Sequence, residues 1–171
     1  MKEKNKSAQE NIFNLPNLLT LIRLLLLPLF AFFAVNRKPL PAAILIVIIG
    51  LLDVADGYIA RKFSATKFGA VFDMAVDAVT QVSVFLILIY SNYLPLLALI
   101  PLGIFVASGI VSCYLFFRYN FGGRETTFLA HLVGVVAYIL IIASLFNFYV
   151  VPLLVIETIL VVLRVIEYYT R

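Results

Sequence analysis

The chain of 171 residues has a single cysteine, Cys113, so it can form neither an intrachain disulfide nor a thiolate metal cluster. Charge is equally scarce: Asp, Glu, Lys and Arg together make up 13% of residues, against 64% hydrophobic ones. A soluble domain of this size would have no polar cover for its surface. No run of basic residues interleaved with aromatics marks a nucleic-acid binder, despite a net charge of +4. No internal repeat of 20–50 residues is present. No cleavable signal peptide is expected either, because the first apolar run starts only near Leu18 and is followed by further apolar runs rather than a small-residue cleavage site.

What remains is apolar sequence in blocks of membrane-crossing length, with a mean hydropathy of +1.09. The runs predict an all-α integral membrane protein with six transmembrane helices, roughly Leu18–Val35, Pro41–Arg61, Gly69–Tyr90, Leu94–Phe117, Ala130–Phe146 and Val150–Glu167. Residues 1–15 form a separate polar segment, in which Ser7 and Glu10 fit a capping box and Ile12, Phe13 and Leu15 give an apolar side. This predicts a short interfacial helix on the membrane, followed by the transmembrane domain 16–171. Pro16 ends that segment, Asn17 is placed to cap the first span, and Pro101 is expected to kink the fourth. Ser108-x-x-x-Ser112 and Gly109-x-x-x-Cys113 put small residues on adjacent stripes that permit close helix contact. With both termini on one side, eleven of the thirteen Lys and Arg residues share that side and only Arg37 and Lys38 lie opposite. The expectation is therefore a protein of the cell (inner) membrane with both termini facing the cytoplasm.

Against this background Asp53, Asp56, Asp73 and Asp77 stand out, as four of the nine acidic residues fall within 25 positions. Carboxylates next to a bilayer are costly and point to function. Asp53, Asp56, Gly57 and Ala60 share one stripe of the second span, and Gly69, Asp73 and Asp77 share one stripe of the third. The seven-residue link predicts antiparallel neighbours whose stripes face each other on the cytoplasmic side. Four converging carboxylates cannot all stay ionised without a cation. All-oxygen donors suit Mg²⁺, Mn²⁺ or Ca²⁺ and do not suit zinc or copper. Gly57 and Gly69 leave room beside the acids, and Arg61 and Lys67 can take phosphate charge. This combination describes phosphoryl transfer. Spacing alone leaves two other readings open: a carboxylate-based cation or proton transporter, and helix-end charges paired with Arg61, Lys62 and Lys67.

The pattern Asp53-x-x-Asp56-Gly57-x-x-Ala60-Arg61, seven residues, then Gly69-x-x-x-Asp73-x-x-x-Asp77 resembles the signature of the CDP-alcohol phosphotransferase family at all eight defining positions. The resemblance implies a membrane enzyme, usually a homodimer, that moves a phosphatidyl-type group from a CDP-linked lipid such as CDP-diacylglycerol to an alcohol and releases CMP. It implies Mg²⁺ or Mn²⁺ bound by Asp53, Asp56, Asp73 and Asp77, with Asp77 also the catalytic general base. It further implies a CDP-lipid pocket formed by Gly57, Ala60, Arg61 and Gly69. The opening Asn14-Leu15-Pro16-Asn17-Leu18-Leu19-Thr20-x-x-Arg23 is similar to that of the phosphatidylglycerophosphate synthase branch, which adds Asn17, Thr20 and Arg23 to the CDP-lipid contacts. Gly123-Arg124-x-Thr126-Thr127 echoes a basic stretch of the same branch, whereas Met74 and Ala78 depart from it. Glycerol 3-phosphate is the expected acceptor, with Lys67, Arg118 and Arg124 as its phosphate clamp. Inositol phosphate, serine, phosphatidylglycerol and an archaeal lipid donor stay open, as does a catalytically silent member that binds the nucleotide lipid. His131, at the start of the fifth span, and Glu157, within the last, carry no assigned role.

Overall fold

A computed structural model describes residues 15–62, 67–119 and 128–170. Among these there are six α-helices and no strand: α1 (Leu15–Val35), α2 (Pro39–Lys62), α3 (Lys67–Tyr90), α4 (Leu99–Tyr119), α5 (Phe128–Leu145) and α6 (Val150–Thr170), with a 3₁₀ turn at Leu96–Ala98 ahead of α4. The interfacial helix expected within residues 1–15 lies outside the described residues, apart from Leu15, which belongs to α1.

Proline placement sets most of the helix starts. Pro16, Pro39, Pro41, Pro101 and Pro152 all fall in first turns, where a missing N–H removes no intrahelical bond. Pro101 therefore does not kink the fourth helix. Pro95 precedes the 3₁₀ turn and delays α4 to Leu99, five residues later than the apolar run implied. Asn17 does not cap α1 either, since the chain is already helical at Leu15. Only Pro28 sits mid-helix, where it cannot donate to the Leu24 carbonyl.

At their C-terminal ends α1, α3 and α5 stop in the same way. Arg37, Asn92 and Asn147 take left-handed φ values of 55°, 51° and 55°. In each turn the next amide donates back to the carbonyl five residues earlier: Lys38 to Phe33 at 2.9 Å, Tyr93 to Leu88 at 2.8 Å and Phe148 to Ala143 at 2.8 Å. These are Schellman terminations, which satisfy carbonyls a helix end would otherwise leave open. Asparagine tolerates that conformation and arginine does so less readily. Arg37 is held there by its guanidinium, which lies 5.1 Å from the centre of the Tyr93 ring and ties the α1–α2 turn to the α3–α4 turn.

Each helix buries one apolar stripe. Leu27, Phe30 and Ala34 of α1 meet Ala42, Ile46 and Ile49 of α2 and Val84, Phe85 and Leu88 of α3, with Leu140, Ile141 and Leu145 of α5 completing the core. α1 packs on both α2 and α3, α2 also on α5, and α6 on α4 and α5. Among the described residues α2 and α3 make no extended contact of their own. The expected facing of their acidic stripes is met at Asp53, Asp73 and Asp77, while α1 packs against both helices. At Gly50 an added Cβ would stand 3.0 Å from the Tyr138 ring, so this glycine permits the approach of α2 to α5. Gly109 of α4, expected at a close helix contact, has nothing within 4 Å of an added Cβ among the described residues. Outward positions such as Leu25, Leu51, Val54, Ile110 and Val151 are exposed and apolar. The segment Leu18–Val35, with a mean hydropathy of 2.5, is long and apolar enough to cross a membrane by itself, and shorter apolar stretches occur in α2, α3, α4 and α5.

The Gly50–Tyr138 contact makes a prediction. Gly50→Leu overpacks the α2–α5 contact and is expected to destabilise the protein by about 1–3 kcal/mol. Thermal unfolding in detergent measures this, and Tyr138→Ala in the same background should recover part of the loss.

Candidate functional site

The site grows out of three helix stripes that continue the core toward the end of the bundle where residues 15 and 170 lie. On α1 the buried series Ala34, Phe30, Leu27 continues to Arg23 and Thr20. On α2 the buried Ala42, Ile46 and Ile49 lead to Asp53 one turn on. On α3 Leu88, Val84 and Thr80 lead back to Asp77 and Asp73. Apolar positions fix the rotation of each helix, so the polar residue next in each stripe is aimed at the same point.

There the Arg23 guanidinium is enclosed, with 2% of its side chain exposed, while the side chains of Asp53, Asp73 and Asp77 are 38%, 40% and 50% exposed. Nη1 of Arg23 donates to Asp53 Oδ1. Nη2 donates to Asp73 Oδ1 at 3.0 Å and is paired with Asp77 Oδ1 at 2.7 Å. One planar cation thus joins three carboxylates from two helices. A buried arginine needs such partners, because an unpaired charge there is strongly unfavourable.

Asp53, Asp73 and Asp77 each offer an oxygen, and the three lie within 4.8 Å of one another. Hard oxygen donors this close fit a divalent cation such as Mg²⁺ or Mn²⁺, which typically completes its shell with water and substrate phosphate. The half-open side of the cluster leaves space for such ligands.

Of the residues expected at the site, the structure therefore brings together Asp53, Asp73, Asp77 and Arg23. Thr20 lies buried one turn from Arg23 on the same stripe. Arg23, expected beside a CDP-lipid, is engaged with the aspartates. The side chains of Asn17, Asp56, Gly57, Ala60, Arg61, Lys67, Gly69 and Arg118 lie outside the described residues, as does Arg124 altogether. His131 is exposed at the start of α5. Glu157 is 2% exposed and its Oε2 has no partner among the described residues. Sequence reasoning missed Thr80, which is buried beneath Asp77 with its hydroxyl unpartnered among the described residues. The signal was available, since Asp73, Asp77 and Thr80 continue one i, i+4, i+7 stripe.

An apolar-surfaced helical bundle with three carboxylates gathered at one end marks a membrane protein whose polar chemistry is concentrated there. The family is settled by similarity: residues 13–168 match the model of the CDP-alcohol phosphatidyltransferases, and the chain belongs to that family. This is a family of membrane enzymes that transfer phosphate-containing groups. The chain is 32% identical over 103 residues to the CDP-diacylglycerol–glycerol-3-phosphate 3-phosphatidyltransferase of Escherichia coli K12, a match covering 58% of this chain and 56% of that one. It is 38% identical over 96 residues to a cardiolipin synthase (CMP-forming)/mitochondrial hydrolase fusion protein of Schizosaccharomyces pombe, covering 56% of this chain and 16% of that one. The chain thus spans about half the length of the first of these relatives and a small part of the second.

The unpartnered Thr80 hydroxyl is testable. Replacing a buried, unbonded hydroxyl with a methyl group removes a desolvation penalty, so Thr80→Val should leave stability unchanged or raise it by about 1 kcal/mol. A fall in melting temperature would show that the hydroxyl is bonded in the working protein.

Proposed function

We propose that this protein transfers a phosphatidyl group from CDP-diacylglycerol to glycerol 3-phosphate and releases CMP, in phospholipid biosynthesis. The observation that carries this reading is the convergence of Asp53, Asp73 and Asp77 within the family signature. The similarity to the Escherichia coli enzyme, whose name specifies glycerol 3-phosphate, supports the choice of acceptor over inositol phosphate, serine or phosphatidylglycerol.

Asp53, Asp73 and Asp77, with Asp56 of the signature, are the residues that would hold Mg²⁺ or Mn²⁺. When bound, the ion supplies charge neutralisation for a pyrophosphate and its departing CMP. The remaining work falls to side chains. Asp77, the most exposed of the three carboxylates, takes the proton of the acceptor hydroxyl. The acceptor oxygen then bonds to the phosphorus that carries the lipid, and the bond from that phosphorus to CMP breaks. Gly57, Ala60, Arg61 and Gly69 would line the CDP pocket with Asn17 and Thr20 beside it, and Lys67, Arg118 and Arg124 would hold the acceptor phosphate.

The six helices, of 18 to 24 residues, are each about as long as a hydrocarbon core is thick, which supports six spans. The basic residues concentrated at the end with the aspartates support a cytoplasm-facing site in the cell membrane. The homodimer implied by the family resemblance belongs to the same proposal.

Purified protein supplied with CDP-diacylglycerol and Mg²⁺ or Mn²⁺ should release CMP only when glycerol 3-phosphate is added, and chelation should stop the release. Failure to release CMP with any of the candidate alcohols would sink the reading. Asp77→Asn should lower turnover by at least about 100-fold while binding of the nucleotide lipid persists.

A further inference from the structure

We propose that Arg23 is the resident cation of the aspartate cluster: it keeps the three carboxylates assembled when no metal is bound, and it lowers the cluster's affinity for a divalent ion. This rests on reading the cluster as a divalent-metal site.

Three observations lead to it. First, Arg23 is delivered by α1, an element outside the acidic signature, and its side chain is enclosed while the carboxylates are half open. The guanidinium thus approaches from the protein side and leaves the outer side to an ion arriving from water. Second, all three carboxylates are engaged at once, through Asp53 Oδ1, Asp73 Oδ1 and Asp77 Oδ1. A metal gathering an oxygen from each must share or take carboxylates the arginine already holds. Third, the cluster is assembled from two helices, with Asp53 on α2 and Asp73 and Asp77 on α3. Three carboxylates within 4.8 Å repel one another. A cation between them offsets that repulsion. A fixed positive charge among the ligands supplies this cohesion but also repels an incoming cation, which makes the metal exchangeable rather than permanently held.

The test uses the full chain in detergent, with Mn²⁺ as the probe. Electron paramagnetic resonance measures free Mn²⁺, and thermal unfolding is followed with and without the ion. In Arg23→Gln the metal-free protein should melt lower than wild type. Its Mn²⁺ dissociation constant should be lower by at least about tenfold, because a nearby like charge has been removed. The rise in melting temperature on adding Mn²⁺ should exceed that of wild type. Arg23→Lys keeps the charge without the three-way fork and should fall between the two. If Arg23→Gln folds poorly, Mn²⁺ present during purification should restore its yield.

Unchanged or weaker Mn²⁺ affinity in Arg23→Gln, with normal binding by wild type, would overturn this inference and leave the metal reading intact. No Mn²⁺ binding by wild type or any Arg23 variant would overturn both. A metal-free Arg23→Gln protein as stable as wild type would show that the arginine does not hold the cluster together.

Discussion

The pairing of one enclosed guanidinium with three half-open carboxylates is the constraint on which the functional end of this molecule depends. Neither partner is tolerable alone. An arginine with 2% of its side chain exposed requires compensating charge, and three acidic side chains within 4.8 Å require a cation or the uptake of protons. At an effective dielectric constant of 20, unit charges 4 Å apart interact by about 4 kcal/mol, enough to set the relative rotation and height of three helices. The apolar stripes of α1, α2 and α3 lead to the same point independently, so packing and electrostatics specify one arrangement.

The two ends of the bundle are built differently. Away from the site, three Schellman turns close α1, α3 and α5, and Arg37 bridges two of those turns through the Tyr93 ring. Backbone groups there are satisfied within tight turns, which suits an end that only has to be stable. At the site end the polar groups remain half open, and their cohesion comes from charge. An electrostatic joint can exchange partners, whereas an interdigitated apolar one cannot do so without a cavity or strain. One end of the bundle is thus closed by backbone turns, and the other gathers charged side chains.

Much of this was legible from residue order. Helix number and most boundaries followed from apolar runs separated by Asn, Arg, Pro and Gly. The errors came from proline: Pro101 looked like a kink and Pro95 went unweighed, because whether a proline breaks a helix or starts one depends on which residue is N1. Asn17 looked like a cap because the polar segment before it hid a helix already under way at Leu15. At the site, the periodicity of Asp53, Asp73 and Asp77 identified the carboxylate stripes. Arg23 was expected beside the CDP-lipid, since a single basic residue in an apolar run does not show which charges it meets.

The sequence by itself determined the helical class, the membrane-like exterior, the family signature and the convergence of its acidic stripes. These are local or periodic properties, and period and composition survive in a linear string. Only the tertiary structure decided that α1 packs against both α2 and α3, that Arg23 pairs with the three carboxylates, that Thr80 lies buried beneath Asp77, and that Gly50 sits at a close approach to Tyr138. Those outcomes depend on which helix faces fit together once every apolar stripe is buried at the same time. That is a competition among non-local contacts, and no window of sequence contains all of its terms.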